Sequence, residues 1–212
     1  PRHPPKGGTA TNFTSSPLPV MLGFLNFCSK TINKMGNTEK FCTIVRQRSK
    51  ENKQAVSLLF RTGLTGQIIS VLRQELDSLI RVIFLLNQTL DERNHLINCT
   101  LTGQKWKLKS NGKVTDKQMV ELANSLHGWT KSVYEFGCAF IHLSSFHDYS
   151  FNDPFENLEL KEINSIKSHL NFYHGFPMAT TLTMNSISQY LPMIFDKIES
   201  NLECYVKELE EH

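Results

Sequence analysis

Four residues within one apolar helical pattern carry the first chemistry in this chain: Arg73, Glu75, Asp77 and Arg81. Arg73, Asp77 and Arg81 recur at i, i+4 and i+8, so they share one helical stripe and Asp77 can pair with either arginine. Glu75 falls on a different stripe, with Val71, Ser78, Val82 and Leu85. A carboxylate on an apolar face needs a cationic or hydrogen-bonding partner, because burying it bare is very costly. Tyr134 and His142 are the donors expected to reach it. The arrangement reads either as an interior charged site or as an ion-pair network that orients helices. The network is the expected reading, since structural networks perturb charges too.

The histidines and cysteines give weaker patterns. His142 and His147 are five apart, as are His169 and His174. Metal-binding helices favour i, i+4, as in HExxH. Spacing by five requires one histidine of each pair to leave its helix, so surface and hydrogen-bonded histidines are expected rather than a metal site with Asp148. Cys138 and His142 lie one helical turn apart, with Glu135 a turn earlier. Catalytic thiols favour helix N-termini or electropositive clefts, whereas Cys138 sits mid-helix between the small residues Gly137 and Ala139. A Walker loop, GxGxxG, GxSxG and HExxH are all absent from the sequence, and no cofactor is expected.

A third group is basic. Lys105, Lys107, Lys109 and Lys113 surround Trp106. Cations interleaved with an aromatic ring can neutralise and stack on a nucleic-acid strand. The alternative is an exposed lysine-rich loop whose tryptophan packs back on the body.

The elements that must hold these residues are helical. Apolar positions Ile68, Ile69, Leu72, Leu76, Leu79, Ile80, Ile83 and Leu86 have helical spacing. Val82, Phe84 and Leu85 extend the apolar character around the cylinder, which marks 67–89 as a buried helix. A helix is expected over 38–61, apolar at its ends and charged through RQRSKENKQ, which reads as a solvated face, with an RNA-contacting face as the alternative. Thr89 and Glu92 have capping-box spacing, as do Thr115 and Gln118. The second pair opens a helix through about 145, bent at Gly128, whose small residues 137–139 permit close helix approach. Asn111-Gly112 predicts a turn and a small hairpin. Leu160 to Tyr173 reads as a helix closed by Gly175 and stopped by Pro177. The last helix, 181–209, has a coiled-coil-like seam that Pro192 should kink or break.

Together these predict an all-α chain: an antiparallel helical bundle with a long amphipathic C-terminal helix and at most one small β-hairpin. Residues 1–17, rich in Pro, Gly, Ser and Thr, read as a flexible tail. Residues 18–212 read as a single bundle domain, with the apolar stretch at 18–35 expected as a docked helix, with a swapped segment or a partner-binding arm as alternatives.

Composition sets the outer bounds. Net charge is +3, which permits nucleic-acid contact without demanding it. The five cysteines are scattered and form no CxxC. That argues against a disulfide framework or zinc knuckle and for a cytoplasmic protein. No apolar run approaches the roughly 18–20 residues that span a bilayer, and Pro17–Phe27, with two prolines, makes a poor signal peptide. The N-x-S/T matches at Asn12, Asn87 and Asn98 read as chance.

Two stretches resemble the HEPN superfamily of prokaryotic helical domains. One is Arg73-x-Glu75 with Arg81 and then Leu85-Leu86. The other is SVYEFGCAFIHLSSFH, from Ser132 to His147. The resemblance covers about residues 55–150. It implies an antiparallel bundle, often a homodimer, sometimes a ribonuclease of toxin or antiviral systems. The active family motif is an arginine followed by four to six residues and a histidine, and no arginine here meets it. Arg93-Asn94-His95 is too short, and Lys167 to His174 has the spacing with the wrong cation. The expectation is therefore a helical binding or scaffold module of a prokaryotic defence or stress system, with an RNA or protein partner. The competing class is a metal-independent ribonuclease using Arg73, Glu75, Arg81, His142 and His147.

Overall fold

A computed structural model describes residues 35–110 and 112–211. The tail at 1–17, nearly all of the 18–35 segment and Asn111 lie outside the described residues. Among the described residues, eight α-helices follow in order: α1 (Asn37–Arg61), α2 (Thr65–Leu86), α3 (Leu90–Leu101), α4 (Asp116–His127), α5 (Thr130–Ile141), α6 (Leu160–His174), α7 (Met184–Ser188) and α8 (Leu191–Glu211). Short 3-10 turns occupy Ser145–Asp148 and Pro154–Asn157.

α2 is the hub, because its apolar residues leave it little polar surface to show to water. Fourteen of its 22 residues are buried, and it packs against α8, α5, α1 and α4. Direction follows from side-chain pairs. Ser49 meets Glu75 while Arg48 meets Ser78, so α1 runs against α2. Arg73 meets Cys138 while Ser70 meets the Phe140 carbonyl, so α5 also runs against α2. Arg46 pairs with Glu203 and Glu210, and Lys53 with Glu199, so α1 runs against α8 as well. α8 therefore lies parallel to α2. The all-α antiparallel bundle and its long C-terminal helix are both present.

Glycine decides two details. Gly128, at φ +73°, does more than bend the expected 115–145 helix. It ends α4 in the left-handed conformation that glycine adopts without strain, and α5 begins two residues later. Gly137 gives the close approach that the small residues predict. A Cβ there would lie 2.7 Å from Cβ of Arg73, so only hydrogen fits between α5 and α2.

The other punctuation is local. Pro192 breaks the expected 181–209 helix into α7 and α8. It stands second in α8, where the backbone N–H it lacks would have no intrahelical partner. Thr115 and Gln118 form the full capping box of α4. Thr89 accepts from the Glu92 N–H, but the Glu92 carboxylate turns instead to the Lys109 N–H at 2.8 Å. The hairpin reduces to a single bridge, Lys107 with Lys113, closed by Leu108 N–H donating to Gly112 O at 2.9 Å. No helix among the described residues is long and apolar enough to cross a membrane. Cys42, Cys99, Cys138 and Cys204 are free thiols.

Candidate functional site

Glu75 is fully buried, at 0% exposure. Its partners come from α1: Ser49 Oγ donates to one carboxylate oxygen at 2.5 Å and Asn52 Nδ2 to the other at 2.8 Å. Burial raises the Glu75 pKa, while these two hydrogen bonds and the charge of Arg48 oppose the rise. The expected donors, Tyr134 and His142, do not serve it, because α1 covers the Glu75 face of α2 and α5 covers the Arg73 face. The signal for the true partners was present in the charged run of α1. Ser49 and Asn52 are its two short polar residues, and they continue the buried stripe Phe41, Cys42, Val45 and Val56.

The second stripe of α2 forms a closed circuit. Asp77 accepts from Arg81 Nε at 2.9 Å, with Nη1 of Arg73 and of Arg48 each at 3.7 Å. Arg81 Nη2 reaches Asp116, at the start of α4, at 3.6 Å. Asp116 accepts from the Tyr134 hydroxyl at 3.0 Å. The Tyr134 ring lies under the Arg73 guanidinium, 3.4 Å from its carbon to the ring centre. Arg73 returns to Asp77 and also points Nε at Cys138 Sγ, 3.4 Å away. Burial pushes the Tyr134 hydroxyl up to about 12, with Arg73 opposing and Asp116 reinforcing the shift. The tyrosine thus stays a donor, and the circuit ties α2, α4 and α5 together.

Beside this circuit lies a cleft of about 710 Å³ among α1, α2, the start of α4 and the loop 102–115. Arg48, Arg81, Lys105, Lys107 and Lys113 line it, with Asp116 as the one acid among its described lining residues. Trp106 packs back on the body. Its Nε1 donates to Thr100 Oγ1 at 2.8 Å, its ring lies 6.1 Å from Phe84, and the Arg81 guanidinium sits 5.1 Å above it. His95 Nε2 meets the Lys107 carbonyl at 3.1 Å and fixes the loop to α3. Lys109 leaves the group, pairing with Asp91 at 2.5 Å.

The residues singled out by sequence therefore separate into three places. Arg73 and Glu75 are structural groups inside the bundle. Arg81 belongs to both the circuit and the cleft, where it joins Lys105, Trp106 and Lys107. His142 caps the C-terminus of α5 and is exposed. His147 is exposed too, bonded to Ser144 and resting on Phe140. Neither histidine bonds to Arg73 or Arg81 among the described residues. Asp116 is the cleft residue that sequence reasoning missed, and Arg48 comes from the charged run of α1 that reads chiefly as a solvated face. No group of three His, Cys, Asp or Glu side chains among the described residues is placed to hold a metal. No family model, curated protein or solved structure matches the chain.

Proposed function

We propose that this domain binds RNA without cutting it, holding a single-stranded segment in the cleft between α1, α2 and the 102–115 loop. The observation that carries this reading is the charge of the cleft: its described lining holds five cations and one carboxylate, and of the cations only Arg48 and Arg81 enter ion pairs. Lys105, Lys107 and Lys113 enter no ion pair among the described residues, so their ammonium groups are free to meet phosphates. Phosphate contacts supply affinity and position the strand but read no sequence. Trp106 contributes shape rather than stacking, because Phe84 and Arg81 already cover its ring. Binding should therefore be salt-dependent and tolerant of base identity.

Cleavage needs a base near the 2′-hydroxyl and a cation near the phosphate. His142 and His147 make no bond to the arginines that would complete such a site, which favours binding over catalysis. The HEPN-like relationship, a place in a prokaryotic defence or stress system and pairing of two copies belong to the same proposal. The antiparallel helices agree with that relationship, and the missing arginine–histidine motif agrees with a member that does not cut.

Incubating labelled single-stranded RNA with the protein tests both halves at once. Retention of intact RNA at low salt, lost as salt rises, is the expected result. Cleavage by wild type that disappears in His142→Ala would establish the nuclease instead. Absence of any complex at low salt would leave a protein partner as the better reading.

A further inference from the structure

A second cavity, of about 100 Å³, lies among α2, α5, α6 and α8. Its walls are mostly carbon, with Leu72, Phe136, Leu170 and Ile198 from the four helices. This space is about two-thirds of the roughly 150 Å³ carbon-lined cavity that takes up benzene, so a single six-membered ring is the largest body it suits. Among the described residues no aspartate or glutamate lines it, whereas Lys197, His169 and His174 do.

Among the described residues Lys197 enters no ion pair. The carboxylates near it in sequence, Asp196 and Glu199, both pair with Lys53. The Lys197 ammonium instead lies 4.9 Å from the centre of the Tyr173 ring. Burial, then the charge of Lys197, holds His174 below the usual histidine range. His174 is thus neutral at neutral pH and can hydrogen-bond without adding charge. α6 closes one side with Leu170 as its single buried residue. A wall held by few buried contacts opens at low cost, which gives a route in.

We propose that this cavity binds a small monocarboxylate, its apolar body among Leu72, Phe136, Leu170 and Ile198 and its carboxylate on Lys197 Nζ. An apolar pocket with one placed polar group is the usual form of a small-ligand site. The absence of acids in the lining selects against an amine of the same shape.

The experiment is fluorine NMR of the full chain with 4-fluorobenzoate, and with 4-fluorobenzylamine as the matched cation. Saturable binding of the benzoate and not of the amine is expected. Lys197→Met keeps the stem but removes the charge, and should weaken benzoate binding by about tenfold or more, the size of one charge-assisted hydrogen bond. Ile166→Phe fills the cavity from a half-buried position on α6 and should abolish binding. Ile194→Phe, half-buried on α8, replaces it if circular dichroism shows the first variant unfolded. Failure of wild type to bind benzoate, equal binding of the amine, unchanged affinity in Lys197→Met, or wild-type affinity in a folded cavity-filled variant would each overturn the proposal.

Discussion

Ser49 donates to Glu75 across the α1–α2 contact at 2.5 Å, with the carboxylate wholly removed from water. Asn52 satisfies the other oxygen. Two neutral donors thus hold the deepest acid of the bundle. Glu75→Ala would leave both donors unpaired and open a void, and should cost about 3 kcal/mol. Urea unfolding measures it, and stability equal to wild type would contradict this placement.

The same residue sets a pH dependence. Its folded-state pKa is raised, chiefly by burial, so the folded protein binds a proton more tightly than the unfolded chain does. The contribution is fully present below the ordinary glutamate range and is lost as pH rises through the raised value. Glu75→Gln lacks that titration. The stability difference, wild type minus Glu75→Gln, should therefore fall as pH rises from about 4. A flat difference would show a carboxylate no harder to ionise than in the unfolded chain.

Gly137→Ala tests the contact of α5 with α2. The new methyl would meet the Arg73 Cβ at 2.7 Å, and neither carbon can swing aside. Overpacking costs about 1–3 kcal/mol, against about 1 kcal/mol of helix propensity gained. A lowered melting temperature is expected, and a raised one would mean that the helices part freely.

Tyr134 holds the charged circuit in two ways that substitution separates. Tyr134→Phe removes the hydroxyl bond to Asp116 but keeps a ring beneath Arg73, and should cost about 1 kcal/mol. Tyr134→Leu removes both and should cost about 1–2 kcal/mol more, since the guanidinium is nearly buried. Equal losses in urea unfolding would show that the ring contributes nothing to holding Arg73.

The sequence made α2 legible because burial on nearly every side leaves a pattern that solvated helices lack. The stripe of Arg73, Asp77 and Arg81 was legible for the same reason: spacing of four fixes a shared face. Which neighbour covers each face was not. Assigning Glu75 to Ser49 and Asn52 requires knowing that α1, and not α5, crosses that side, and the charges around those residues masked their burial. Gly128 shows a similar limit. Its position marked a disturbance, but only the backbone angle distinguishes a bend from an end. The cleft was half legible. The lysines and Trp106 are adjacent in sequence, whereas Arg48 and Asp116 arrive from separate helices.

Fluorescence anisotropy of single-stranded RNA, comparing wild type with Lys105→Glu/Lys107→Glu/Lys113→Glu across a salt series, tests the cleft most directly. These three side chains are exposed and line the cleft, so the fold should survive their reversal. For wild type, the logarithm of affinity should fall with the logarithm of salt by about 0.7 per phosphate neutralised. The triple variant should lose nearly all affinity at low salt and most of that slope. Binding by the variant with the affinity and slope of wild type would contradict the account, because the RNA would then lie elsewhere on the protein.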